Sequence, residues 1–200
     1  MRIAAISAAL LLASANANAA VFNFTGNITY HNDIVYTYFS LTDDATNVRV
    51  WTDSFQNNTN FDPITALWRA DTGALIAEND DDATINPATQ TYWDSGFSLA
   101  FLEAGDYVFT VASYANFASG ASLSGGFRYD SVAPIPITQW WNERPGYWSL
   151  WLDGVDSASN PDDPDDPDDP DDPTSVPEPG MLALLGLGLA GLARRRRKQA

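Results

Sequence analysis

The chain has no cysteine, one histidine and one lysine in 200 residues. Without cysteine no disulfide can hold it together, and thiol catalysis and thiolate metal sites are excluded. His31 stands alone, so a histidine-rich metal site cannot be built, and no partner for general-base work by it is visible in the sequence. The nucleophile elbow Gly-x-Ser-x-Gly is also missing, because Gly120-Ala-Ser122-Leu-Ser124 fails at its last position. Positive charge is scarce where it would matter. Arg2 and the block Arg194 to Lys198 lie at the ends, leaving only Arg49, Arg69, Arg128 and Arg144 between them, in a chain of net charge -16. Such a field repels nucleic acid and anionic lipid and attracts cations, which excludes nucleic acid as a partner.

What is present divides into four stretches. Met1-Arg2, the apolar run Ile3 to Ala13 and Ala17-Asn18-Ala19 form a secretory signal over residues 1–19, with Ala15-Asn16-Ala17 as a competing cleavage site that would cut after Ala17. Residues 20–156 carry short runs rich in aromatic and β-branched side chains. No helical period of a dozen residues occurs there. Strands are predicted at 34–41, 48–52, 64–68, 74–77, 96–102, 107–112, 126–129 and 147–152, with another around Phe22 and Phe24. Some nine short strands split by Gly, Pro, Asn and Asp predict an all-β domain, a β-sandwich of jelly-roll type. Residues 157–175 hold the Pro-Asp-Asp repeat, which buries nothing and repels along its length; 13 residues of it in polyproline II geometry reach on the order of 40 Å. The last stretch, 176–200, contains Pro177-Glu178-Pro179, an apolar run from Met181 to Ala193 and the cationic stop Arg194, Arg195, Arg196, Arg197 and Lys198. As a single helix that run spans ~20 Å, short of a ~30 Å hydrocarbon core, and the basic block stays on the cytoplasmic side.

Oxygen-bearing side chains crowd one turn: Glu78, Asn79, Asp80, Asp81 and Asp82. Hard cations such as calcium select this ligand type, and Asp62 or Asp94 can be recruited from neighbouring loops. An EF-hand is excluded by the missing Asp-x-Asp-x-Asp-Gly alternation. A solvated acidic turn is the other reading of the same residues. Trp140 and Trp141 follow the Pro134-Ile-Pro136 break, and on a loop their rings can stack on sugars; Trp148, alternating with Leu150 and Leu152, reads as core. His31 reads as a surface or strand-end residue. No catalytic residue is assigned. Glu78, Glu103 and Glu143 among the many Asp residues leave a two-carboxylate polysaccharide hydrolase as the alternative to a noncatalytic module.

Two resemblances add to this reading. Residues 60–115, with Asp62-Pro63, Gly73, Asn79-Asp80-Asp81 and Ala104-Gly105-Asp106-Tyr107, resemble the bacterial pre-peptidase C-terminal domain, although Glu103 stands where that family commonly has Pro. The region from Phe22 to Trp151 also looks like a family of surface-anchored bacterial domains without an assigned activity. Residues 176–198 resemble the PEP-CTERM sorting signal. That resemblance implies an exosortase-type processing enzyme as partner, transient anchoring in the inner membrane of a Gram-negative bacterium by the C-terminal helix, and a final place on the cell surface or in the extracellular matrix. The combined expectation is an exported, noncatalytic binding or adhesion module for polysaccharide or surface protein, with calcium as its one candidate cofactor.

Overall fold

A computed structural model describes residues 20–141 and 143–160. The expected leader, most of the Pro-Asp-Asp spacer and the sorting tail lie outside the described residues. Nine strands are present among the described residues: β1 (Ala20–Asn27), β2 (Ile34–Leu41), β3 (Val48–Thr52), β4 (Pro63–Arg69), β5 (Leu75–Asn79), β6 (Gly96–Leu99), β7 (Gly105–Ser113), β8 (Tyr147–Val155) and β9 (Ser157–Ser159). Every pairing is antiparallel. One sheet has the order β1-β8-β3-β6 and the other β5-β4-β7-β2-β9. Only β4 and β5 follow each other within a sheet, so nearly every connection crosses from one layer to the other. Two single turns of 3-10 helix, Leu123–Gly125 and Ile137–Gln139, complete the regular structure among the described residues.

Alternation along the strands makes the layers adhere. Phe24, Val50, Trp148, Leu150 and Leu152 face inward from the first sheet, against Val35, Phe39, Leu67, Phe109 and Val111 from the second. A fully buried side chain of this kind is worth roughly 1.5–3 kcal/mol, and this layer replaces the disulfides that the sequence lacks. A smaller cluster of Ala66, Trp68, Val108 and Phe127 lies on the other face of the second sheet. Trp68 is fully buried there and donates its indole N–H to Thr110 Oγ1 at 3.0 Å.

Three expectations need correction. The strand expected at 126–129 is absent: Phe127 makes a single bridge to Ala118 and packs its ring on Trp68 with centroids 6.1 Å apart, so burial without a ladder explains its apolar signal. The second sheet also runs past the expected boundary at residue 156, because β9 pairs with the exposed edge of β2 and buries Ala158. His31, read as a surface residue, is fully buried. Its ring lies 4.2 Å from that of Trp140 and 5.3 Å from that of Tyr129, and Nδ1 accepts the Ile135 N–H at 3.2 Å. That bond assigns the remaining proton to Nε2.

His31 therefore anchors the long β7–β8 connection to the sandwich. Replacing it by Ala leaves a cavity beneath Trp140 and frees the Ile135 N–H. The His31→Ala variant is expected to lose about 2–4 kcal/mol of stability in urea denaturation; a loss below about 0.5 kcal/mol, the usual range of surface changes, would refute the anchoring role.

Candidate functional site

The pairing of β4 with β5 decides where the acids go. Thr65 pairs with Asn79 at one end of the hairpin, while the Asp71-Thr72-Gly73 turn closes the other. The residues just before β4 and just after β5 therefore meet. Pro63, lacking an amide, opens β4 and sets Asp62 at the sheet margin. One carboxylate oxygen each from Asp62, Asp80 and Asp81 falls within a common 4.8 Å. Asp62 Oδ1 and Asp80 Oδ1 are buried without any hydrogen-bond partner.

The electrostatic cost of this arrangement is visible in the protonation of the group. Burial, reinforced by Asp80, Asp81 and Asp94, pushes the Asp62 carboxyl up to about 8. Burial, with Asp81 and Glu78 adding repulsion, pushes Asp80 up to about 6. Burial also raises Asp81. Asp94, fully buried behind them, is raised by burial, while donors at Phe55 N, Thr91 N, Thr91 Oγ1 and Thr52 Oγ1 act in the opposite direction. Charges this close raise each other's carboxyls unless a cation neutralises them. The donor set is all oxygen, and two of its atoms are orphaned, which suits a hard cation with water completing the six to eight ligands that calcium takes.

Of the five residues expected in the acidic turn, only Asp80 and Asp81 enter this group. Glu78 alternates outward on β5 and its Oε1 accepts the Ala118 N–H at 2.7 Å. Asn79 spans the join, donating to Gly96 O at 3.0 Å and accepting the Asp80 N–H at 3.0 Å. Asp82 turns back to accept from Thr84 N and Oγ1. The recruited Asp62 joins the group directly, and Asp94 acts from behind.

Asp62 faces a second feature as well. With Phe55, Phe61, Ser113, Tyr114, Ile137, Trp140, Trp141 and Arg144 it lines a narrow cleft at the same end of the sandwich. The two tryptophans expected there have different roles. Trp140 is half-buried, packed at a 39° tilt against His31 and tied by its indole N–H to Tyr114 O at 3.3 Å. Trp141 is 66% exposed, with its ring edge-on to Tyr114 at 5.6 Å. Its backbone sits at φ 44, left-handed for a bulky residue, which throws the side chain outward. Arg144 was not singled out by the sequence: no local pattern distinguishes it, and only the folding of the β7–β8 connection brings it into the lining of this cleft.

Residues 175–198 match the family model of the PEP-CTERM protein-sorting motif. The match contains Pro177-Glu178-Pro179, the apolar run and the basic stop. It marks the chain for sorting to the bacterial cell surface by an exosortase, with a membrane-anchoring C-terminus. It does not extend into the sandwich. Comparison with curated proteins gives no match.

The raised carboxyls give a signed pH dependence. Because the folded Asp62 carboxyl titrates far above its usual 3.8, the folded form holds an extra proton between the two values, and that contribution to stability is lost as pH rises toward 8. In chelator, the melting temperature is expected to fall from pH 5 to pH 8, and Asp62→Asn is expected to flatten the fall. A melting temperature that rises over this range, or a slope unchanged by the substitution, would contradict the assignment.

Proposed function

We propose that the chain is a noncatalytic protein of the bacterial surface or extracellular matrix, whose sandwich binds polysaccharide or a surface protein with the help of calcium. The observation that carries this reading is the convergence of Asp62, Asp80 and Asp81 beside a cleft that presents an exposed tryptophan. Calcium held there would relieve the repulsion among the three carboxylates and fix the loop after β5 against the start of β4. In the same reading the signal exports the chain in a Gram-negative cell, the C-terminal helix holds it transiently in the inner membrane, and the Pro-Asp-Asp spacer sets the domain off from the bilayer. A jelly-roll scaffold is supported by the strand order 1-8-3-6 facing 5-4-7-2. Likeness to the pre-peptidase C-terminal domain is supported by β4, β5 and β7 falling on its strands, with Asn79-Asp80-Asp81 closing β5.

One observation favours the alternative, a carboxylate-dependent polysaccharide hydrolase: Asp62, protonated up to about pH 8, lies on the cleft wall as a general acid would. Against it, the grouped acids lie together on one side, whereas a glycosidase needs two carboxyls flanking the scissile bond. Glu103 sits near Arg69 at 3.9 Å, outside the cleft lining.

Two experiments test the proposal. Saturating calcium is expected to raise the melting temperature of the intact chain by about 5 °C or more, since binding at about 100 times Kd contributes ~2.7 kcal/mol, and Asp80→Asn is expected to abolish most of the rise. No rise, together with measurable polysaccharide turnover that Asp62→Asn abolishes, would replace this reading with the hydrolase. For delivery, changing Pro177-Glu178-Pro179 to three alanines is expected to leave unprocessed chain in the membrane fraction. Unchanged processing and surface display would show that the motif is not used.

A further inference from the structure

Two open features line the cleft beside Asp62. Trp141 offers an exposed apolar face at its mouth. Arg144 Nε is buried with no hydrogen-bond partner, and among the described residues the Arg144 guanidinium makes no ion pair. An open N–H donor is answered by a hydroxyl oxygen, which accepts from it. The free space of the cleft is about 20 Å³, room for one water-sized group and not for a ring. A ligand must therefore lie across the mouth, flat against Trp141, and send a hydroxyl inward.

We infer that this cleft is a subsite for a neutral pyranose ring of a polysaccharide, with Trp141 as its stacking platform and Arg144 as donor to a ring hydroxyl. The inference rests on the reading of the domain as a binding module and names the ligand class. Neutrality follows from charge: with four arginines against the acidic excess of residues 20–160, a polyanion is repelled before it reaches Arg144. The aromatic surface continues past the cleft. Tyr92, 56% exposed, packs edge-on at 5.1 Å against Phe55, another lining residue, and provides a second ring that a longer chain can reach.

The test uses the intact chain in detergent, with tryptophan fluorescence as the readout. It is titrated with cellohexaose, mannohexaose and maltohexaose, and with an oligogalacturonate of similar length, each in saturating calcium and in chelator. At least one neutral hexamer is expected to bind. Trp141→Ala and Arg144→Gln are each expected to weaken that binding about tenfold or more, with Trp141→Phe retaining part of it and melting temperatures close to the parent chain. Binding of no neutral hexamer, binding unaffected by both substitutions, or tighter binding of oligogalacturonate would overturn the inference. The two readings fail separately. A calcium-raised melting temperature with no neutral sugar bound would refute the cleft alone, and sugar bound through Trp141 and Arg144 with no calcium effect on melting would refute the cation alone.

Discussion

Pairing Thr65 with Asn79 forces Asp62 against Asp80 and Asp81, and that repulsion is the constraint around which this end of the sandwich is arranged. A hairpin of two buried or edge strands cannot slip its register without turning its core face to water. Leu67 and Ile64 hold β4 in place by burial, so the carboxylates cannot relieve their crowding by sliding apart. They are left with protonation, which the high Asp62 and Asp80 values express, or neutralisation by a cation. Among the described residues, three carboxylates come this close together only at this end, and that crowding is the physical ground for placing function there.

The cleft depends on the same end of the fold by a different route. Ser113 at the close of β7 pairs with Pro63, and the chain then enters the long connection that returns as β8. This connection carries Tyr114, Trp140, Trp141 and Arg144, and it is held down by the Tyr30–Pro136 bridge, with Ile137 N–H donating to Thr29 O, and by the His31 ring packed against Trp140. Rigid strands thus position the acids, while a packed loop positions the aromatics and the guanidinium. Binding residues on loops over a rigid scaffold are a common arrangement, and here both sets converge on Asp62.

Much of the scaffold was readable in the residues. Ile34 to Leu41 and Val48 to Thr52 alternate clearly enough that their limits coincide with β2 and β3. Ser157-Ala158-Ser159 was not readable, since small residues carry little hydrophobic signal and β9 forms because the β2 edge is open to it. Phe127 misled in the other direction: its burial comes from one ring on Trp68, not from a strand. The acidic turn was legible as a concentration of oxygen ligands, but its membership was not, because alternation along β5 and local turns divert Glu78 and Asp82 to backbone amides. Trp140 and Trp141 look identical in sequence. Their separation into an anchor and an exposed ring depends on a backbone angle and on His31, contacts that only the folded chain supplies. The address at residues 175–198 was the most legible element, since its order of motif, apolar run and basic stop needs no folding to be read.

Asp62, Asp80 and Asp81 are proposed to form a single cation site beside the cleft tryptophans. Terbium luminescence addresses it most directly, because terbium replaces calcium at oxygen sites and is sensitised by a nearby indole. Excitation of tryptophan in the intact chain is predicted to give terbium emission that saturates at one site, is displaced by calcium, and is lost in Asp80→Asn. Emission absent from the parent chain, or present and unchanged in Asp80→Asn, would contradict it.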